Sequence, residues 1–344
     1  MNIVPEKGLS FDDVLLVPQE SAITSRFSSE ISLSTTIVPG ITLQYPLISA
    51  NMSTVTESNM AIKMAELGSL GIIHRFMDPK QQRTELAGLD SPRVICIGVG
   101  KDGIERLQIV MDLYSKKKEI YPAVAVLIDI AHGHSKAMIE QIKLIKKLYP
   151  RVPIIAGNVA TGAGARALAI AGADCIKVGV GCGQICRTTT NTGCGVPQLT
   201  AINEAYKALQ NLQKEEGFLT IIADGGIRNG GDAVKALAAG ADAVMVGKLF
   251  AGTDEAPNAV HLGRSGTLVK TYMGMASKQA QEEWKGYATS VEGEKEEVPW
   301  TGPLEDIFTG LVNNILSGFS YQNSRGIKEL QERALFIRRY SIYK

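Results

Sequence analysis

The 344-residue chain has little charge of one sign: 36 basic residues face 35 acidic ones, a net charge of +1. That balance excludes the strong positive footprint expected of a protein that binds nucleic acid or an anionic membrane surface. Long apolar runs are missing too, and none approaches the roughly 18 residues a membrane-spanning helix needs. The opening MNIVPEKGLSFDD has no basic segment leading into an apolar one, so no secretion signal is expected. Cysteine is scarce. Five residues, an odd number without C-x-x-C pairs, argue against a disulfide framework and a structural zinc site, and make the cytoplasm the expected compartment. What remains, 45% apolar and 21% charged residues, is the composition of an ordinary globular domain, long enough for one α/β barrel.

Apolar, β-branched segments of five or six residues alternate with amphipathic stretches of about 10 to 15. The spacing predicts strands over Pro46–Ala50, Gly71–His74, Val94–Gly98, Ala123–Asp129, Pro153–Gly157, Cys175–Val178, Thr220–Ala223 and Ala243–Val246. Helices are expected between them, among them Ser58–Leu67, Ser135–Leu148, Gly162–Ala171 and Gly231–Ala239. Eight such units indicate an α/β fold of the (β/α)8 TIM-barrel type in one domain, 1–344, preceded by an irregular arm over residues 1–45. Chemistry in such barrels sits at the C-terminal ends of the strands.

The richest stretch follows the sixth strand: KVGVGCGQICRTTTNTGCGVPQ, residues 177–198. Gly179, Gly181 and Gly183 alternate ahead of Cys186, Arg187 and three threonines. Such a turn brings backbone close to a ligand, and a cysteine beside it among hydroxyls and an arginine suits a thiolate nucleophile. The other reading is a flexible loop holding a buried, inert cysteine. After the seventh strand, Ala223-Asp-Gly-Gly-Ile-Arg228 places Gly225 and Gly226 where backbone N–H groups cradle a phosphate, with Asp224 suited to ribose hydroxyls. Met245-Val-Gly-Lys248 supplies a second glycine turn at Gly247; Lys248 is either a point charge for the phosphate or a solvated surface lysine. His74 reads either as a satisfied histidine at a strand end or as a functional one at the barrel mouth. His132 and His134 lack a third ligand, so no metal is expected there.

G-V-G-x-G-x-I-C-x-T followed by T-G-x-G-V-P-Q-L resembles the active-site loop of the IMP dehydrogenase/GMP reductase family. The resemblance runs through nearly the whole chain, including Leu9–Pro18, Ser49–Glu57, Gly71–Arg75 and Lys270–Ser277. It implies that Cys186 attacks C2 of a purine nucleoside monophosphate while a nicotinamide cofactor exchanges a hydride there. Thr188 would handle the group entering or leaving at C2. By the same resemblance, Met52, Asp224, Gly225, Gly226, Gly247, Lys248, Tyr272, Gly274, Met275 and Ala276 surround the nucleotide. Asp129, Ala131, Asn158, Gly179 and Gly181 lie on the cofactor side, and carbonyls of Gly181, Gly183 and Cys186 hold a monovalent cation, K+. A homotetramer is implied as well. The chain departs from the family at Ser53 (usually Asp), Arg75 (Lys), Cys182 (Pro or Ser), Gln184 (Ser), Arg187 (Thr) and Lys248 (Ser or Gly).

Most IMP dehydrogenases insert a pair of regulatory domains after the second strand, whereas here only Phe76 to Pro92 stands there. The polar stretch 278–298 reads as a solvated loop, and the resemblance makes it a mobile flap over the site. A dehydrogenase flap carries an Arg-Tyr pair that activates water. Here Tyr287 follows Gly286, and Glu292 occupies the place of a glutamate used by reductases. The expectation is therefore a GMP reductase that converts GMP to IMP and ammonia with NADPH, through Cys186, Thr188 and Glu292. Against it, V-T-E-S, A-H-G-H-S and D-G-G-I-R are closer to the dehydrogenase spelling. IMP dehydrogenase with NAD, or a diverged nucleotide-binding paralogue, are the alternatives.

Overall fold

A computed structural model describes residues 8–26, 30–115, 124–183, 185–216, 218–289 and 291–339. Eight parallel strands form one curled sheet: β1 (Leu47–Ser49), β2 (Leu70–Gly71), β3 (Arg93–Ile97), β4 (Val124–Asp129), β5 (Ile154–Val159), β6 (Cys175–Val178), β7 (Thr220–Asp224) and β8 (Ala243–Val246). Their order is β2-β1-β8-β7-β6-β5-β4-β3: sequence neighbours pair from β3 through to β8, β8 pairs with β1 and β1 with β2, the cyclic order of a (β/α)8 barrel. The strands are apolar on both faces because helices cover the outside and side-chain layers fill the inside. Every residue of β3, β6 and β8 is buried.

The helices form where apolar residues recur at three- and four-residue spacing. In Lys136–Leu148, Met138, Ile142 and Ile145 face the barrel, and the Ser135 hydroxyl caps the first turn by accepting from Met138 N–H at 3.3 Å. Thr161 caps Gly162–Ala171 in the same way, and Gly172, at φ 110°, ends it in a left-handed turn. The N-terminal mouth of the barrel is closed by the hairpin Thr35–Val38/Ile41–Leu43. Its Ile37, Val38 and Ile41 are fully buried, and the Ile37 carbonyl accepts from the Thr220 hydroxyl at the start of β7. The arm is anchored by Val14–Leu16 pairing antiparallel with Phe336–Arg338.

Three sequence expectations are corrected. The second strand stops at Gly71 rather than His74. The Ile72 N–H reaches the Ser49 carbonyl only at 3.5 Å, and Phe76 N–H then turns back onto His74 Nδ1 at 3.1 Å. The fifth strand runs on to Val159, with a register shift between Gly157 and Val159 and a cis Gly157–Asn158 peptide. The stretch 278–298 is not simply a loop. Its described part holds the helix Lys278–Lys285, capped by the Ser277 hydroxyl, and Lys295–Pro299 pairs antiparallel with Leu268–Met273. The start of the expected fourth strand at Ala123, and Gln184 in the glycine loop, lie outside the described residues.

Candidate active site

A pocket of about 440 Å³ opens at the C-terminal ends of the strands, within the size range of small-molecule sites. Every candidate site residue read from the sequence lines it. Met52 comes from the end of β1, Asp129 and Ala131 from β4, and Asn158 from β5. Gly179, Gly181, Gly183, Cys186 and Thr188 follow β6, Asp224, Gly225 and Gly226 end β7, and Gly247 and Lys248 follow β8. Tyr272, Gly274, Met275, Ala276 and Glu292 close the rim. His132 and His134 are exposed and do not line the pocket. His74 is buried against Glu57 at 3.3 Å. Among the described residues no three His, Cys, Asp or Glu side chains converge as a metal site.

The glycines are required where the loop packs tightest. Gly179 sits at φ 148°, and a Cβ there would come within 1.9 Å of the Asp224 carbonyl oxygen. Gly225, at φ 100°, would drive a Cβ to 2.7 Å from Cys182 Sγ. The glycine loop and the end of β7 are thus in backbone contact, which fixes the floor under the nucleophile candidate.

Cys186, Thr188 and Glu292 form a continuous chain. The Cys186 thiol donates to Thr188 Oγ1 at 3.2 Å, and the Thr188 hydroxyl donates to Glu292 Oε2 at 2.9 Å. Backbone geometry holds the glutamate there: Arg187 N–H donates to the Glu292 carbonyl at 2.8 Å and Glu292 N–H to the Ala276 carbonyl at 3.0 Å. Cys186 and Gly293 form an antiparallel bridge, and Glu294 N–H reaches the Ile185 carbonyl at 3.1 Å. The loop and the flap are therefore laced together by main chain. The Arg187–Glu294 pair at 2.6 Å adds little, because both side chains are about half exposed.

Under this chain lies a second, charged layer. Lys177 Nζ stands 2.8 Å from Asp129 Oδ1 and 2.5 Å from Asp224 Oδ2 with its side chain 3% exposed. Asn51 Nδ2 donates to Asp129 at 3.0 Å, and Asn158 Nδ2 donates to Asp224 at 2.9 Å and to the Gly179 carbonyl at 2.7 Å. Burial alone would lift the Asp129 carboxyl, but the Lys177 ammonium and the Arg75 guanidinium outweigh it and hold the group below its ordinary range. For Lys177, burial opposes the charge and the two aspartates overcome it, so its ammonium is held above the usual lysine value. Burial, with Asp224 next in effect, raises both the Cys182 thiol and the Tyr272 phenol, so both stay protonated near neutral pH.

Several lining residues were not singled out by the sequence reading. Lys177 and Asn51 carry the charged layer. Phe76 and Trp284 meet edge to face at 5.5 Å, with the Arg75 guanidinium 4.7 Å and 5.6 Å from their ring centres. The available signal for Lys177 was its place as the only charged residue in the apolar strand Cys-Ile-Lys-Val. Lys248 is less free than a phosphate-binding role requires: its ammonium pairs with Glu296 of the flap's return strand at 2.8 Å. Two buried polar atoms in the pocket, Asn158 Oδ1 and Arg75 Nε, have no partner, which is the expected state of groups that await a polar ligand. The Gly183 carbonyl, one of the three cation candidates, already accepts from Cys186 N–H at 3.1 Å.

The family model for the IMP dehydrogenase / GMP reductase domain matches residues 8–342. The inosine-5'-monophosphate dehydrogenase of Borreliella burgdorferi is 36% identical over 393 aligned positions, covering 98% of this chain and 95% of that protein. Those of Nitrosopumilus maritimus (34% identical, 97% and 96% covered) and Bacillus subtilis (32%, 97% and 93%) are similar over comparable shares. The Nitrosopumilus alignment spans 464 positions, more than this chain's 344 residues, so that relative carries segments with no counterpart here. With a barrel, a glycine loop and a cysteine–threonine–glutamate chain assembled at its mouth, this protein belongs to the IMP dehydrogenase / GMP reductase family.

Proposed function

We propose that the chain oxidises IMP to XMP with NAD through a covalent bond between Cys186 and C2 of the purine. The observation that carries the chemistry is the Cys186–Thr188–Glu292 chain, and the three relatives named above, each an inosine-5'-monophosphate dehydrogenase, favour the direction. This moves the assignment from the reductase expected of the sequence to its alternative. The orphaned Asn158 Oδ1 and Arg75 Nε support a polar cofactor in the same pocket. Asp129, Ala131, Asn158, Gly179 and Gly181 would hold it, and when bound it supplies a nicotinamide ring that accepts one hydride.

In this account the thiol proton passes along the Thr188 hydroxyl toward Glu292, and the sulfur adds to C2. Departure of the C2 hydrogen as hydride leaves C2 bonded to sulfur as a thioimidate. Once Glu292 has released that first proton to solvent, its carboxylate draws the Thr188 proton, and Thr188 deprotonates a water that attacks C2. The C–S bond breaks, the thiolate returns, and XMP leaves. Gly225, Gly226 and Gly247 cradle the 5′-phosphate with backbone N–H groups, while Asp224 accepts from the ribose hydroxyls. Met52, Tyr272, Gly274, Met275 and Ala276 frame the base, and Lys248 stands at the rim with its ammonium paired to Glu296. Potassium, held by the carbonyls of Gly181, Gly183 and Cys186, would keep the loop in its working conformation. We further assign a homotetrameric, cytoplasmic enzyme of one domain without a regulatory insert; the described segment between β2 and β3 contains only the helix Pro79–Ala87.

One observation favours a second reading, GMP reductase with NADPH. The flap places no arginine beside Tyr287, and the same Thr188–Glu292 pair can protonate departing ammonia. Intact-mass analysis after rapid quenching tests the shared covalent step. With IMP and NAD, an adduct on the wild-type chain that is absent from Cys186→Ala is expected. No adduct in any nucleotide–cofactor pairing would overturn the nucleophile.

A further inference from the structure

We infer that Lys177 is a positioning residue that sets the nucleotide half and the cofactor half of the pocket in register through one buried ammonium. The inference rests on the proposed reading that Asp224 faces the nucleotide ribose and Asp129 the cofactor. Those carboxylates come from β7 and β4, on opposite sides of β6, yet the same Nζ holds both, at 2.5 Å and 2.8 Å. Asn51 holds the second Asp129 oxygen and Asn158 shares Asp224 Oδ2 with the ammonium, so a five-residue row, Asn51–Asp129–Lys177–Asp224–Asn158, runs across the barrel mouth.

The neighbouring strand is shaped around this lysine. A Cβ on Gly157 would meet the Lys177 carbonyl oxygen at 2.4 Å and its Cβ at 2.6 Å. Two carboxylates sharing one site repel, and without a cation between them one holds its proton to higher pH. The ammonium therefore holds both carboxylates as acceptors for ribose hydroxyls at a fixed separation. The charged and titratable groups within reach of it are Asp129 and Asp224, with Arg75 and Cys96 near Asp129 and Cys182 and Tyr272 near Asp224. Lys177 touches no reacting atom in this account. It acts through the two aspartates.

The test measures dissociation constants for IMP alone and for NAD in the presence of IMP, on the full chain, for wild type, Lys177→Met, Lys177→Gln and Lys177→Arg, each checked for folding by circular dichroism. Lys177→Met is expected to weaken both ligands by about tenfold or more, the scale of hydrogen bonds to charged groups. It is also expected to make both affinities fall toward mildly acidic pH, where the wild type stays flat. Lys177→Arg restores both affinities to within about threefold of wild type, since it keeps a cation between the carboxylates. If Lys177→Met does not fold, Lys177→Gln carries the same comparison. Loss of one affinity alone, loss of both in Lys177→Arg, or a folded variant without cation that binds like wild type would overturn the inference. If the wild-type chain binds neither ligand, the reading of the site itself fails, a result distinct from any defect confined to the variants.

Discussion

The Thr188 hydroxyl donates a 2.9 Å hydrogen bond to Glu292 Oε2 across 104 residues of sequence, joining the glycine loop after β6 to the flap. The carboxylate thereby reaches the chemistry through the threonine hydroxyl. Glu292→Gln keeps an acceptor but cannot take a proton. It should lower kcat by about 10²- to 10⁴-fold, the usual range for a lost general acid or base, with nucleotide affinity nearly unchanged. Thr188→Ala should fall in the same range, and the double variant should lose little more than either single one, because the pair works as a unit. Steady-state kinetics with parallel binding isotherms check this, and additive losses would separate the two residues.

Thiol labelling should sort the cysteines by environment. Cys96 and Cys175 are fully buried; burial pushes the Cys96 thiol up to about 12 and raises Cys175 as well, so neither should react with iodoacetamide in the folded protein. Cys194 is exposed and should label without loss of activity. Cys186, half-buried in the pocket, should label with inactivation, and saturating IMP should block that labelling. Peptide mapping of the labelled protein reads out all four at once.

Gly179→Ala tests the tightest contact in the loop. The added Cβ would lie 1.9 Å from the Asp224 carbonyl oxygen, at a backbone angle of φ 148° that side chains rarely adopt. The loop must shift away from β7, costing about 1–3 kcal/mol of backbone strain and displacing Cys186. A clearly lowered midpoint of urea unfolding and near-complete loss of turnover are expected. Wild-type behaviour would mean the loop is looser than described.

Asp129 gives a pH signature. Its carboxyl is held below the ordinary value of 3.8, so folding favours the charged form. The stability this contributes is fully present above pH 3.8 and is lost as pH falls through the lower, folded-state value. Asp129→Asn removes that contribution, and its unfolding free energy should fall less steeply than that of wild type below pH 3.8. Chemical denaturation at a series of acidic pH values measures both slopes; parallel slopes would contradict the assignment.

The barrel was legible in the sequence because its signal is redundant: eight apolar segments separated by capped helices, with Cys175–Val178 and Ala243–Val246 bounded as expected. Boundaries failed where tertiary contacts override local pattern. Ile72, Ile73 and His74 are as apolar in setting and as buried as a strand, yet the turn onto His74 Nδ1 takes them off the ladder. The flap was read as polar loop because its helix Lys278–Lys285 presents few apolar residues and depends on the Ser277 cap. Motif residues such as Cys186 and Asp224 announce themselves by their glycine neighbours. Lys177 and Asn51 do not, since what matters about them is which side chains from other strands stand opposite, and no local spacing encodes that.

Two cuvettes followed by nicotinamide absorbance, with potassium present, test the central claim most directly. One holds IMP with NAD, the other GMP with NADPH. The account predicts a steady rise in the first and no change in the second, and silence from Cys186→Ala in both. A fall in the second with no change in the first would contradict it and assign the chain to the reductase. No change in either would remove the catalytic reading altogether.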